Sequence, residues 1–190
     1  MELIKNSFFT LLALIAIGLL VFLGNDIYQE NARIERIKGV DTKVIQRLEK
    51  IRLAQESYLS VKKEYANSWD SLTHFIANDQ FFILQKKETI ETVNGADKIT
   101  VEIDTLATVA VFDSLKTQLQ IEQLADIENL WRVPVSDTIF TIRADKLGNG
   151  QQICEIRDPF PLNPKRQKDG SMKPLQIGSL EISTLQGNWE

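Results

Sequence analysis

The sequence has very little of the side-chain chemistry that most enzymes and metal sites use. It contains one cysteine, Cys154, and one histidine, His74. A single cysteine cannot form an intramolecular disulfide, which excludes the secreted modules that disulfides hold together. A single histidine argues against a transition-metal site, because such sites use two or more nitrogen or sulfur ligands. The sequence also lacks a glycine-rich phosphate loop, a His-Glu-x-x-His pair and a Gly-x-Ser-x-Gly elbow. We therefore predict no enzyme activity, no cofactor and no bound metal.

The chain also lacks a large excess of positive or negative charge. The net charge is −4, and acidic side chains outnumber basic ones beyond residue 66. Proteins that bind nucleic acid present clusters of lysine and arginine, so this balance argues against nucleic acid as a partner. No pattern in the sequence identifies a small-molecule ligand.

One long apolar run stands near the start of the chain. Residues 8–24 read FFTLLALIAIGLLVFLG without a charge, and about 17 apolar residues are at the short end of what crosses a bilayer as a helix. A cleaved signal peptide is the alternative, but Phe22, Leu23 and Gly24 do not provide the small residues that a signal peptidase needs. We favour an uncleaved single-pass anchor over residues 1–24 in the inner membrane. A slight charge bias places the N-terminus in the cytoplasm and the bulk of the chain in the periplasm.

An amphipathic helical stem is predicted over residues 25–66. No proline precedes Pro134, and Gly39 is the one expected weak point, since glycine inside a helix costs about 1 kcal/mol relative to alanine. A heptad with Ile27 at its first position gives a mostly apolar stripe. The stripe is interrupted by polar residues, Asp41, Gln55 and Lys62, so it fits packing against a partner or against the chain's own domain. The residues predicted for partner packing or self-association are Ile34, Ile37, Val44, Leu48, Ile51 and Tyr58.

Residues 67–190 predict an α+β domain rich in antiparallel β structure. Ser68 or Asn67 can cap a short return helix that ends near Ala77 and packs on the end of the stem around Tyr58 and Tyr65. Alternation then predicts strands over 81–85 and 99–103, joined by a turn at 93–96, and a further β run over 108–112. Residues 115–130 stay ambiguous, with a short helix as one possibility.

Turn residues divide the end of the domain. Two glycines around an asparagine at 148–150 predict a hairpin between strands 139–144 and 152–157, and Cys154 is expected to be buried in the second of these. Four of the five prolines fall within 158–174, which predicts a surface loop whose basic residues are solvated. A last strand is expected over 177–184, and Trp189 is expected to pack on the domain.

This order of parts resembles that of type IV pilins and pseudopilins. The local match is Phe9-Thr10-Leu11 at the head of the apolar run, Ala54-Gln55 and Tyr58 on the stem, and residues 65–72 beyond it. Two positions differ from the family pattern: Ser7 and Phe8 precede Phe9 where a glycine is usual, and Ala13 stands where the family has an acidic residue. The chain is also similar to uncharacterised single-pass bacterial envelope proteins that end in Gly-Asn-Trp, here residues 187–189.

Two classes of function fit these features. The pilin resemblance implies a non-catalytic structural or assembly subunit of a pilus-like, secretion or motility machine of the cell envelope, and we favour it. The alternative is a membrane-tethered periplasmic sensor or ligand-binding domain. Its site would use carboxylates near predicted strand ends: Asp104, Asp113, Asp137 and Asp158.

Overall fold

The computed structural model describes residues 2–93 and 96–190, with side chains from Ile17 onward except at positions 86 and 89–100. The chain divides into two compact units, Met1–Thr42 and Lys43–Glu190. Helices and short sheets together make an α+β fold, as the sequence predicted. The second half of the predicted stem belongs to the distal unit rather than to a separate segment.

The first element is a single long helix, α1, which spans Glu2–Lys62. The helix is not interrupted at Gly39, so the predicted weak point does not break it. It ends at Lys62 rather than near Ala66, because Lys63 adopts a left-handed conformation with φ 63°. The amide of Lys63 still donates to the carbonyl of Leu59 at 2.9 Å, which closes the last turn.

In the proximal unit, helix α1 is apolar on all sides over two turns. Six large side chains there are each more than half exposed: Ile17, Leu19, Leu20, Val21, Phe22 and Leu23. The predicted anchor, residues 8–24, lies mostly outside the described side chains, which begin at Ile17. Within the described part of the chain, no helix combines the length and the apolar character needed to cross a membrane.

Among the described residues, the distal unit contains ten further elements after α1. Three are α-helices: α2 (Trp69–Asn78), α3 (Val111–Leu119) and α4 (Ile127–Leu130). Five are strands: β1 (Gln80–Val93), β2 (Ala96–Ala110), β3 (Thr141–Lys146), β4 (Gln152–Arg157) and β5 (Gln176–Ser179). Two short 3₁₀ turns, Leu124–Asp126 and Pro164–Arg166, complete the unit.

The core of the distal unit forms around the last five turns of α1. Apolar residues three or four positions apart share one helix face, and this face is buried at Val44, Leu48 and Ile51. It packs within the core that α2, α3 and α4 complete with Leu72, Phe75, Ile76, Val111, Leu115, Leu119, Ile127 and Leu130. The rings of Tyr58 and Phe75 meet edge to face with centroids 5.1 Å apart, which confirms that the return helix folds back onto the stem.

The connection between α1 and α2 is held by a buried amide. Gln55 is fully buried; its Nε2 donates to the carbonyl of Ala66 at 2.9 Å, and its Oε1 accepts from the amide of Ala66 at 3.0 Å. The Gln55 side chain thus satisfies both backbone groups of Ala66, which is itself 1 % exposed. Ser68 then caps α2, accepting from the amide of Ser71 at 3.2 Å, as predicted.

A stacked pair of indoles joins α2 to the segment before β3. The rings of Trp69 and Trp131 lie 4.8 Å apart at an interplanar angle of 15°. Trp69 Nε1 donates to the carbonyl of Phe140 at 2.9 Å, and Trp131 Nε1 donates to Thr73 Oγ1 at 3.0 Å. Each buried indole N–H therefore has a partner.

Strands β1 and β2 form a long two-stranded antiparallel hairpin. They contain the strands predicted at 81–85 and 99–103, but each is longer than predicted, and an extra residue in β2, Leu106, interrupts the register between Ile83 and Leu84. Asn94 and Gly95, in the predicted turn, lie outside the described residues. The predicted β run at 108–112 is wrong beyond Ala110. Val111 starts α3 because it, Leu115 and Leu119 are spaced for one buried helix face.

Strands β3, β4 and β5 form the second sheet, in that order and all antiparallel. The predicted hairpin between β3 and β4 is confirmed, with Gly150 at φ 84°. Strand β5 ends at Ser179 rather than Thr184, because the chain reverses and the amide of Gly178 donates to the carbonyl of Gln186 at 2.9 Å. Gly178 itself has φ 74°, and a Cβ there would overlap the carbonyl of Cys154 on β4.

The proline-rich segment 158–174 contains no strand or α-helix, as predicted. Lys165, Lys168 and Lys173 are exposed, whereas Arg166 is buried and donates to the carbonyl of Lys173 at 3.0 Å. One of the four basic residues is therefore structural rather than solvated. Trp189 is half-buried and its ring lies over Gly187, which agrees with the expectation that it packs on the domain.

Candidate functional site

Half of the residues predicted for partner packing lie in the core of their own unit. Val44 is 2 % exposed, and Leu48 and Ile51 are fully buried. These three side chains are therefore occupied within the chain, as the alternative of packing on the chain's own domain foresaw. Tyr58 is half-buried against Phe75.

The other predicted stem residues lie in the proximal unit and remain accessible. Ile34 is 39 % exposed, Ile27 further up the same stripe is 64 % exposed, and Ile37 is half-buried. The charged residues around them form pairs along the helix, with Arg33 Nε 3.1 Å from Glu30 Oε2 and Lys38 Nζ 3.2 Å from Glu35 Oε1. Exposed pairs of this kind contribute only tenths of a kcal/mol each, so they solubilise the helix without fixing a site.

The β1–β2 hairpin carries a second exposed apolar surface, which the sequence reasoning missed. Strand residues alternate between the two faces, and the register places Glu88 and Thr105 on the same face as four apolar residues, Phe82, Leu84, Val101 and Ile103. Their exposures are 61 %, 57 %, 46 % and 63 %. We call this set the hairpin apolar face. The signal was present as alternation in both strands, but it reveals a common face only once the pairing register is known.

The titratable groups with shifted pKa values have structural causes. Burial, and then Glu155, raise the pKa of the Cys154 thiol to about 12, so the side chain is an inert part of the core. Burial is also the main reason that the pKa of Tyr65 is raised and that of Arg47 is lowered. A hydrogen bond to Asp79, whose Oδ2 lies 2.7 Å from Lys62 Nζ, raises the pKa of Lys62. None of these groups forms a nucleophile and base pair.

The carboxylates considered for a ligand site are not brought together. Asp104 lies within β2, Asp113 in the first turn of α3, Asp137 in the loop before β3, and Asp158 directly after β4. In the described part of the chain, no group of three or more His, Cys, Asp or Glu side chains could hold a metal ion.

The grooves of the distal unit beside α2 and β3 are open rather than enclosed. One of about 340 Å³ runs along the turn after α1 and the edge of β3, where Glu64, Tyr65, Asp145 and Lys146 lie. A second, of about 420 Å³, lies beside α2 and is lined by His74 and by the Lys62–Asp79 pair, among others. Small-molecule sites usually enclose most of their ligand, and neither of these two grooves does. The candidate binding surfaces are therefore the exposed stripe with Ile27 and Ile34 on α1 and the hairpin apolar face.

Comparison of the chain with protein-family models, with curated proteins and with solved structures found no match. The similarity to pilins stays a prediction from the residues quoted above.

Proposed function

We propose that this chain is a non-catalytic subunit that is attached to a membrane through helix α1 and assembles with other proteins of the cell envelope. The observation that carries the proposal is the run of large apolar side chains that surrounds the helix between Ile17 and Leu23. A helix that is apolar on all sides is one that a membrane or a protein core covers. Each such side chain gains about 1.5–3 kcal/mol on leaving water, so the six together leave about 10 kcal/mol unrealised in the isolated chain.

The stripe that follows supports assembly with another protein. Ile27 and Ile34 continue the heptad of Val44, Leu48 and Ile51, but among the described residues they stay 64 % and 39 % exposed. The same pattern is buried in the distal unit and left open in the proximal unit. This is the arrangement expected of a stem whose far end docks on its own domain and whose near end packs on a partner helix.

Membrane attachment is tested by extraction of the full chain from the membranes of an expressing cell. We expect the chain to stay in the pellet in alkaline carbonate and to dissolve in detergent, with the distal unit in the periplasm. Release by carbonate alone would contradict an inserted anchor. The intact mass of the purified chain then separates two kinds of subunit: a start at Phe8 or Phe9 indicates a processed filament subunit, and an intact Met1 indicates a permanent anchor.

Partner packing is tested by substitutions on two sides of the same helix. We expect Ile27→Asn and Ile34→Asn to reduce the crosslinked complexes recovered from membranes, because they replace the apolar stripe. The matched control is Arg36→Asn, which lies on an exposed part of the helix away from Ile34. The proposal fails if the two isoleucine variants give as much complex as the arginine variant.

A further inference from the structure

The β1–β2 hairpin is a long ribbon that leaves the rest of the distal unit almost at once. Its base is held by the edge-to-face contact of Phe75 and Phe81, with centroids 6.3 Å apart, and by the amide of Val111, which donates to the carbonyl of Asp79 at 3.0 Å. Every described side chain from 82 to 88 and from 101 to 108 is exposed. A two-stranded hairpin alone in water is marginally stable, and it gains stability when further strands or a second layer cover it.

The backbone edges of the ribbon point to how it is covered. Within the described residues, β1 and β2 pair only with each other, so each has one edge without a neighbouring strand. Neither strand contains a proline, and an open edge of this length is a template for pairing with another chain. The edge of β2 is disturbed by the extra residue Leu106, whereas β1 is regular. The regular edge is therefore the one suited to pairing.

The sequence of β1 offers an antiparallel register in which two copies set opposite charges against each other. A two-fold axis at position 87 places positions 86 and 88 of the two copies opposite each other, and the sequence has lysine at the first and glutamate at the second. The same axis places Leu84 opposite Ile90. The axis at 87 sets Lys87 against Lys87, with Glu102 across the strand from each, whereas an axis at 88 would set Glu88 against Glu88 with only Val101 across from each. An axis at 86 would set Glu88 against Leu84. Opposite charges across a strand pair are favourable and like charges are not.

We propose that two copies of this chain associate through the β1 edges of their hairpins, in antiparallel register about Lys87, to form a four-stranded sheet. The hairpin apolar faces of both copies then lie on the same side of that sheet. On the other side each Lys87 keeps its cross-strand neighbour Glu102, which offsets the approach of the two lysines at the axis. This association is independent of the membrane attachment proposed above, because it uses only the distal unit.

A disulfide tests the register directly. In the proposed dimer the two Lys87 Cα atoms are directly opposed at about 4.5–5.5 Å, within the range of about 4.4–6.8 Å that a disulfide spans. We expect Lys87→Cys in the full chain to give a covalent dimer under mild oxidation. The matched control is Glu102→Cys on the same face: its two copies are three strand spacings apart, roughly 14 Å. The native Cys154 is fully buried and adds no background.

Charge reversal and mass measurement complete the test. We expect Glu88→Lys to lower the yield of the Lys87→Cys dimer at least about tenfold, which corresponds to 1.4 kcal/mol, and addition of Lys86→Glu to restore it. Circular dichroism checks that each variant keeps the fold. The purified chain at about 100 µM, where micromolar complexes are formed, should have twice the mass of one chain.

Three results would overturn the proposal. The first is a single-chain mass at that concentration, which would mean that another protein or a membrane surface covers the hairpin. The second is equal disulfide formation at positions 87 and 102. The third is a charge reversal that the second substitution does not rescue. Loss of membrane attachment would leave all three measurements unaffected, so the two proposals fail separately.

Discussion

The buried amide of Gln55 makes two hydrogen bonds whose loss can be measured. Its side chain satisfies both the N–H and the C=O of Ala66, so Gln55→Leu keeps the apolar volume and leaves both backbone groups buried and unpaired. Each such group costs about 1–3 kcal/mol, so together we expect a loss of about 2–6 kcal/mol. For a domain of this size that lowers Tm by about 4–24 °C, at roughly 2–4 °C per kcal/mol.

The substitution Gln55→Glu should show a pH dependence that the leucine variant lacks. A protonated carboxyl can donate to the carbonyl of Ala66 and accept from its amide, whereas a carboxylate can only accept. Burial raises the folded-state pKa of the introduced group above its unfolded value of about 4.3. The folded state then holds a proton that the unfolded state has lost. Stability is therefore greatest below about pH 4 and falls as pH rises toward the raised pKa.

The assay is thermal unfolding of the full chain by circular dichroism at acid and neutral pH. Gln46→Glu is the control, since Gln46 lies on an exposed part of α1 and makes the same change of charge. We expect this control to stay within about 0.5 kcal/mol of the parent at each pH. The reasoning is refuted if Gln55→Leu is equally neutral, or if Gln55→Glu loses no more stability at pH 7 than the control does.

Three further changes follow from the packing of the distal unit. Cys154, with its pKa raised to about 12 by burial, should react with a thiol reagent at pH 8 only as fast as the unit unfolds; rapid labelling of the native chain would contradict this. Trp69→Phe removes the donor to the carbonyl of Phe140 and should cost about 1–2 kcal/mol in denaturant unfolding, and no change would refute the role of that bond. Gly178→Ala should cost more than about 3 kcal/mol, whereas Gly148→Ala, which meets open space, should be tolerated, and equal effects would argue against the strained site.

The local features of the fold were predictable where a single signal decided them. The lack of proline before Pro134 and the periodic apolar residues predicted one long helix, and Ser68 marked the start of the next. The two glycines around Asn149 specified the hairpin between β3 and β4. In each case the residues that form the structure are neighbours in the sequence.

The rest depended on contacts between distant residues. The stripe on α1 has the same pattern at Ile34 and at Leu48, so the sequence could not tell which part the chain's own domain covers. Gln55 counted as a polar break in that stripe, and nothing local connects it to the backbone of Ala66. The run at 108–112 is rich in residues that favour strands, but burial of Val111 with Leu115 decided in favour of a helix.

The way the β1–β2 hairpin enters and leaves the distal unit also has a consequence for how this chain can change. Residues 80–110 depart and return at one point, where the amide of Val111 meets the carbonyl of Asp79 at 3.0 Å. A segment inserted between two packed helix ends can change its length at little cost in stability, since lengthening a loop costs only about 0.6 kcal/mol for each doubling. A longer, shorter or different insertion at that position would thus leave the packing of the core unchanged.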